Sequence, residues 1–133
     1  MKNLIFVFIS VLVFASCNGQ TAGFKNLNPT DFDKGINKAN AQIVDVRTPE
    51  EYTGKHIAAA KNININDGNF EKQMLALDKD KPLYLYCLAG GRSKKAAEFA
   101  VNNGFKEVYN LEFGINSWIS EDKHVVSGNG APV

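Results

Sequence analysis

Four short runs rich in β-branched, aromatic or alternating apolar residues, at residues 42–46, 60–65, 83–86 and 108–111, are separated by segments of helical spacing. Asn28-Pro29-Thr30-Asp31 is a turn leading into a helix with Phe32 and Ile36 on one face, ending near Asn40. Pro49, Glu50 and Glu51 open a helical turn that ends by Gly54, with acids at its positive end. Phe70, Met74, Leu75 and Leu77 share a helical spacing up to Pro82. A longer helix runs from Gly91 or Arg92 to Asn103, with Gly104 as its C-cap, and Ile115, Trp118 and Ile119 mark a last short one. Strands separated in this way by helices form a parallel sheet with helices on both faces. Such sheets bind ligands beyond the C-terminal ends of their strands. Cys87 comes directly after the clearest strand, Leu83-Tyr84-Leu85-Tyr86, and so falls at that edge.

The first sixteen residues stand outside the pattern. Lys2, an apolar run over residues 4–15 and Ser16 before Cys17 form a secretory signal, too short for the ~20 residues of a stable membrane span. Phe14-Ala15-Ser16-Cys17 resembles a bacterial lipobox, with Phe14 where that pattern prefers Leu, and makes Cys17 the expected lipidation site. The alternative is ordinary signal cleavage, or a retained anchor with Cys17 as a bystander. The expected organisation is a leader at 1–16, a lipidated Cys and polar tether at 17–23, one domain at 24–126 and a flexible Gly/Pro-containing tail at 127–133. Residues 18–23 carry no acid, which leans toward a lipid anchor facing the periplasm of a bacterial cell envelope rather than surface export.

Without Lys2 the chain balances 14 basic against 14 acidic residues, scattered rather than clustered, so it lacks the electrostatic footprint of a nucleic-acid binder. With Cys17 lipidated, Cys87 has no intramolecular partner and calls for explanation. A lone thiol is commonly a small buried hydrophobe. The residues after Cys87 argue for chemistry instead. Leu88-Ala89-Gly90-Gly91-Arg92-Ser93 runs through two glycines into a helix start, where successive backbone N–H groups can converge on one atom. A thiol inside that ring is favoured as thiolate, and Arg92 adds a cation, so a nucleophile is available near neutral pH.

Cys-x-x-Gly-x-Arg-Ser after an apolar strand resembles the active-site loop of the rhodanese superfamily. A second block, Val44-Asp45-Val46-Arg47 with Glu51, Tyr52, Gly54, His56, Ile57 and Ala60, resembles the upstream signature of the same family. A third, residues 108–114 with Trp118, resembles its closing Leu-x-Gly-Gly and Trp segment. The sequence departs from the pattern where Phe113 replaces the first closing Gly, where Ala58-Ala59 replace Pro-Gly, and where Lys55 separates Gly54 from His56. These departures bear on the loops beside the pocket. The resemblance implies a single α/β domain with a mostly parallel five-stranded sheet. It also implies a thiosulfate sulfurtransferase-like enzyme in which Cys87 carries a sulfane sulfur as a persulfide. The donor would be thiosulfate or another persulfide, and the acceptor cyanide, a small thiol or a partner protein's thiol, without metal or organic cofactor. Related phosphatases need Cys-x5-Arg to surround a phosphate, whereas only four residues separate Cys87 from Arg92. The rival reading is a docking module or a thiol-exchange protein of the envelope.

Around the loop, Arg47 and Glu51 are expected to form a local ion pair, with Arg47 at the pocket rim as the alternative. Asp45 bonds nearby backbone, and His56 is a scaffold residue more than a general base. Leu88 and Ala89 form an apolar entrance, and Ser93 bonds the loop or meets the substrate. Lys94 and Lys95 attract an anionic donor or form a solvated helix face. Trp118 and Tyr84 belong to the core or a pocket wall, and His124 has no ligand set around it.

Overall fold

Leu83, Tyr84, Leu85 and Tyr86 are all buried, as a strand covered on both faces requires. The computed structural model describes residues 23–133; the leader, Cys17 and residues 18–22 of the tether lie outside the described residues. Strands β1 (Lys25–Leu27), β2 (Gln42–Asp45), β3 (Lys61–Asn62), β4 (Leu83–Tyr86) and β5 (Val108–Leu111) form one all-parallel sheet in the order β1-β5-β4-β2-β3. The fold is α/β, as the alternating pattern implies.

Five helices, α1 (Pro29–Ile36), α2 (Pro49–Gly54), α3 (Phe70–Leu75), α4 (Gly91–Asn102) and α5 (Gly114–Ser120), cover the sheet. The two-residue alternation of β4 distributes them. Leu83 and Leu85 pack with Phe70 and Met74 of α3 and with Ala96, Ala97 and Ala100 of α4. Tyr84 and Tyr86 pack with Phe32 of α1 and with Ile115 and Trp118 of α5. Phe32 meets Tyr84 and Trp118 edge to face at 5.4 and 6.2 Å between ring centres, so both aromatics are core. The Trp118 indole N–H donates to the His124 carbonyl at 2.8 Å.

Helix starts coincide with their caps. Asn28 accepts from the Asp31 N–H at 2.8 Å ahead of Pro29, and Thr48 and Glu51 form a capping box around Pro49. α1 ends at Ile36 rather than near Asn40, because the Asn37 side chain donates to the Asp33 carbonyl at 2.8 Å and closes the last turn. The strand expected over 60–65 pairs with β2 only at Lys61 and Asn62. Lys25, in a stretch where no strand was expected, opens β1, a three-residue edge strand paired with β5. Residues 127–133, expected as a flexible tail, fold back. Ser127 donates to the Ala131 carbonyl at 2.7 Å, Gly128 to Thr53 at 2.8 Å, and Val126 bridges both His56 and Pro132. No helix among the described residues is long and apolar enough to cross a membrane.

At two positions where the sequence departs from the family pattern, the backbone keeps a conformation that suits glycine. Ala59 has φ +66° and Phe113 has φ +59°, both left-handed. An L-residue there costs ~1–2 kcal/mol, part of which glycine's greater entropy loss on folding offsets. Ala59→Gly and Phe113→Gly should therefore each raise stability by roughly 0.5 kcal/mol in urea unfolding. Lower stability in both variants would show that these residues are not strained.

Candidate active site

Cys87 stands directly after β4, 1% exposed, at the start of a turn that ends in α4. Its Sγ accepts from the Gly90 N–H at 3.0 Å and from the Ser93 hydroxyl at 3.3 Å. Gly90 has φ +107°, a conformation that lets the chain curl back over the sulfur within three residues. The Ser93 Oγ also lies 3.2 Å from the Gly90 carbonyl. A hydroxyl has one proton, so Ser93 can serve the carbonyl when Cys87 is a thiol and the sulfur when it is a thiolate. Burial pushes the thiol pKa up, but hydrogen bonds from the Ser93 side chain and from the backbone N–H groups of Ser93, Gly90 and Ala89 outweigh it. The net result is a pKa below that of an ordinary cysteine.

The outer side of the turn is held by α5. The Ile115 N–H donates to the Cys87 carbonyl at 2.9 Å and the Asn116 N–H to the Leu88 carbonyl at 3.1 Å. These are first-turn donors that have no partner within the helix. The approach is possible because residue 114 is glycine: a Cβ there would run into the Leu88 carbonyl. Gly114 is thus the functional position that residue-by-residue reasoning left without a role, although the closing Gly of the third sequence block was its signal.

Arg47 has a partner other than the one expected, and Arg92, expected to act on the thiol, has a carboxylate partner of its own. Arg47 does not pair with Glu51 and is not at a rim: it is 3% exposed, with Nε and Nη2 on Asp45 at distances down to 2.7 Å. Its Nη2 also donates to the Lys55 carbonyl at 2.7 Å. Asp45, fully buried, accepts the Arg47 N–H as well, at 3.0 Å. Glu51 instead holds Arg92 in a two-pronged pair, at 2.7 and 3.0 Å. The Arg92 hydrogen bonds hold the Glu51 carboxyl down at about 2. The cation expected to lower the thiol pKa is therefore largely matched by a carboxylate, and the local hydrogen bonds carry that effect.

His56 is buried. Its Nδ1 lies 2.8 Å from the Tyr52 carbonyl, which makes that nitrogen the donor, and its ring stacks on Tyr52 at 3.7 Å. This is a scaffold arrangement. Asn62 was not singled out by sequence, yet its amide bridges the Asp45 and Arg47 carbonyls at 3.0 and 2.9 Å. The Tyr86 hydroxyl accepts from the Ile57 N–H at 3.0 Å, and burial together with the Asp45 charge raises its pKa, so it remains a phenol. Leu88 and Ala89 are exposed beside Cys87, and so are Lys94 and Lys95 on α4. Among the described residues no group of three His, Cys, Asp or Glu side chains is placed to hold a metal.

The model of the rhodanese-like domain matches residues 28–121. The uncharacterized protein YqhL of Bacillus subtilis (strain 168) is 36% identical over 115 residues, covering 86% of this chain and 88% of the relative. Thiosulfate sulfurtransferase GlpE of Stutzerimonas stutzeri (strain A1501) is 34% identical over 95 residues, covering 71% and 84% respectively. Among solved structures, a rhodanese-related protein from Thermoplasma volcanium superposes with a TM-score of 0.69 at 32% identity, over 77% of this chain and 98% of that one.

Two variants test this geometry. Ser93→Ala removes the leading hydrogen bond to the sulfur, so the midpoint of Cys87 alkylation against pH should move upward; an unmoved midpoint would exclude Ser93 from the cradle. Glu51 has a folded-state pKa of about 2, below its unfolded value, so its stabilisation is present above the unfolded pKa and is lost as pH falls toward 2. In Glu51→Gln, the drop in urea stability between pH 6 and pH 3 should shrink by roughly 1–2 kcal/mol. An unchanged drop would show that the Arg92 pair is not formed in solution.

Proposed function

The chain belongs to the rhodanese-like domain family, and from that premise we propose that it is a sulfurtransferase that carries sulfane sulfur on Cys87. The observation that carries this reading is the convergence of the Gly90 N–H and the Ser93 hydroxyl on a buried Sγ whose pKa is lowered. Such a cradle stabilises a sulfur anion, and thiolate and persulfide are both sulfur anions. The Cys87 thiolate attacks the outer sulfur of thiosulfate. The sulfur–sulfur bond breaks, sulfite leaves with the bonding pair, and Cys87 becomes a persulfide. A nucleophilic acceptor, such as cyanide or a thiolate, then attacks the outer sulfur, and the Cys87 thiolate is released. The protein contributes position and charge stabilisation. The thiosulfate sulfurtransferase named among the relatives supports thiosulfate as the donor. The exposed Leu88, 41% accessible at the loop, favours an acceptor with an apolar body, either a small organic thiol or a protein thiol.

In this reading the domain works at a membrane of the bacterial envelope, held by lipid on Cys17 and facing the periplasm. The support is the leader and lipobox-like sequence before Cys17.

Intact mass spectrometry of the full-length protein tests both halves. After thiosulfate treatment the protein should gain one sulfur atom, reversibly on reduction, and Cys87→Ser should gain none. Failure to gain sulfur from thiosulfate or from an organic persulfide would reduce the domain to docking or thiol exchange. Protein extracted from the membranes of a bacterial host should also carry a lipid mass that Cys17→Ser lacks; identical masses would rule out the anchor.

A further inference from the structure

Because every strand pairing is parallel, the strands start along one edge of the sheet and end along the other. Cys87 stands at the second edge, directly after β4. The chain enters at the first: Lys25 opens β1 level with Tyr109 of β5, which is level with Tyr84 of β4. Phe24 is thus level with Leu83, and a rise of ~3.3 Å per residue puts Cys87 roughly 13 Å further along the strand direction. Residues 18–22 separate Cys17 from Gly23, a reach of at most roughly 20 Å when fully extended. A lipid on Cys17 is therefore tied to the strand-entry edge.

The connections into β2, β4 and β5 form one surface at that edge. The Gln42 side-chain amide donates to the Asp78 carbonyl at 2.8 Å and accepts from the Asp78 N–H at 2.9 Å. The Lys106 N–H donates to the Lys79 carbonyl at 3.0 Å, and the Leu83 N–H to the Glu107 carbonyl at 2.9 Å. With β1 and the last turn of α1, this surface presents Lys25, Lys34, Lys38, Lys79, Lys81 and Lys106, all exposed. Against them stand Asp78, Asp80, Glu107 and, on α4 beside Phe24, Glu98. Lys81 pairs with Asp78 at 3.8 Å and Lys106 with Asp80 at 2.7 Å. Lys25, Lys34, Lys38 and Lys79 form no ion pair among the described residues. The Cys87 edge has the reverse balance: its exposed acids are Asp31, Glu50, Asp67, Glu71 and Glu112, against Lys94 and Lys95. Arg47 and Arg92 at that edge are already paired with Asp45 and Glu51. A chain with no net charge beyond its leader is thus polarised along the strand direction.

We propose that the strand-entry edge is a membrane-facing surface, seated by Lys25, Lys34, Lys38 and Lys79 on the anionic phospholipid headgroups of the leaflet that holds the Cys17 lipid, so that Cys87 opens toward water. This rests on the lipid anchor proposed above. A negative leaflet attracts the lysines within a Debye length of it and repels the acids of the opposite edge, and both effects turn the domain the same way. Neither lysines alone nor a tether alone would set this orientation; the tether brings the cationic edge to the surface and the charges hold it there. The Cys87 turn then draws its donor and acceptor from the aqueous side rather than from molecules dissolved in the bilayer.

The experiment is lysine footprinting of the full-length protein purified with its lipid from a bacterial host. The protein is added to vesicles of phosphatidylcholine with or without phosphatidylglycerol, recovered by flotation, acetylated briefly and mapped by peptide mass spectrometry. Lys25, Lys34, Lys38 and Lys79 should react about threefold more slowly on the anionic vesicles than on the neutral ones, and this difference should vanish at high salt. Lys94 and Lys95 should react equally on both, and Cys87 should be alkylated at the same rate with and without vesicles. Lys38→Glu combined with Lys79→Glu, two exposed changes remote from the Cys87 turn, should remove the protection of Lys25 and Lys34. Equal rates for the four lysines on both kinds of vesicle, protection of Lys94 and Lys95, or slowed alkylation of Cys87 would overturn the orientation in a protein that floats, and would leave the anchor standing. A protein that does not float with either vesicle would overturn the anchor and the orientation with it. None of these outcomes depends on whether Cys87 takes up sulfur.

Discussion

The site depends on the direction in which two peptide groups point. The Cys87 and Leu88 carbonyls face away from the sulfur and are taken up by the first N–H groups of α5. A carbonyl turned inward would set a negative partial charge against a thiolate, and one turned outward without a partner would be poorly satisfied. By donating to both carbonyls, α5 fixes the turn so that N–H groups face inward. Its own unpaired helix donors are satisfied in the same step. The glycine at 114 is the steric condition for this contact, and Gly90 is the torsional condition for the turn. The thiol's lowered pKa thus rests on a helix some 27 residues further along the chain, at the end of a different strand.

Around this turn the ionic groups form two separate pairs. Asp45 and Arg47 are both almost completely buried, and each finds several partners: the carboxylate takes the Arg47 main chain and guanidinium, and the guanidinium also binds the Lys55 carbonyl. A buried pair satisfied in this way defines geometry more than it adds stability, and losing one member would leave a charge uncompensated. Here it joins the end of β2 to the exit of α2, and Asn62 ties β3 to the same point. The second pair, Glu51 with Arg92, is part-exposed and links the first turn of α2 to the first turn of α4. Glu51 has a double duty, since it also completes the capping box of its own helix. The two helix starts that border the site are thereby held in register by one carboxylate.

This division explains what was legible in the sequence. The β4 and β5 runs, the loop and the helix starts at Pro29 and Pro49 are encoded by neighbours along the chain, and their positions could be read from apolar alternation, caps and glycines. The arginine partners could not. Arg47 and Glu51 stand four apart, which suggests a pair, but Asp45 reaches Arg47 over two residues while Glu51 reaches Arg92 over forty-one. Only the parallel pairing of β2 with β4 brings those helix starts together. β1 was hidden for a related reason: a three-residue polar edge strand has no apolar period to show, and its pairing with β5 joins the two ends of the domain. The folded-back residues after Val126 are likewise held by main-chain bonds, to which composition is blind.

The departures from the family pattern separate residue identity from backbone shape. Ala59 and Phe113 stand where the pattern has glycine, and both retain a positive φ. The surrounding contacts therefore determine the turn more strongly than the residue within it, and the local cost is tolerated because the rest of the domain is satisfied. Gly114 shows the limit of that tolerance: a Cβ at Phe113 projects toward solvent, where the side chain is 68% exposed, whereas one at 114 would meet the Leu88 carbonyl. A torsional demand can be met by a strained L-residue, but a backbone contact at van der Waals distance cannot. Of the closing glycine pair, the first could be exchanged for a large exposed aromatic, and the second could not be exchanged without opening the Cys87 turn.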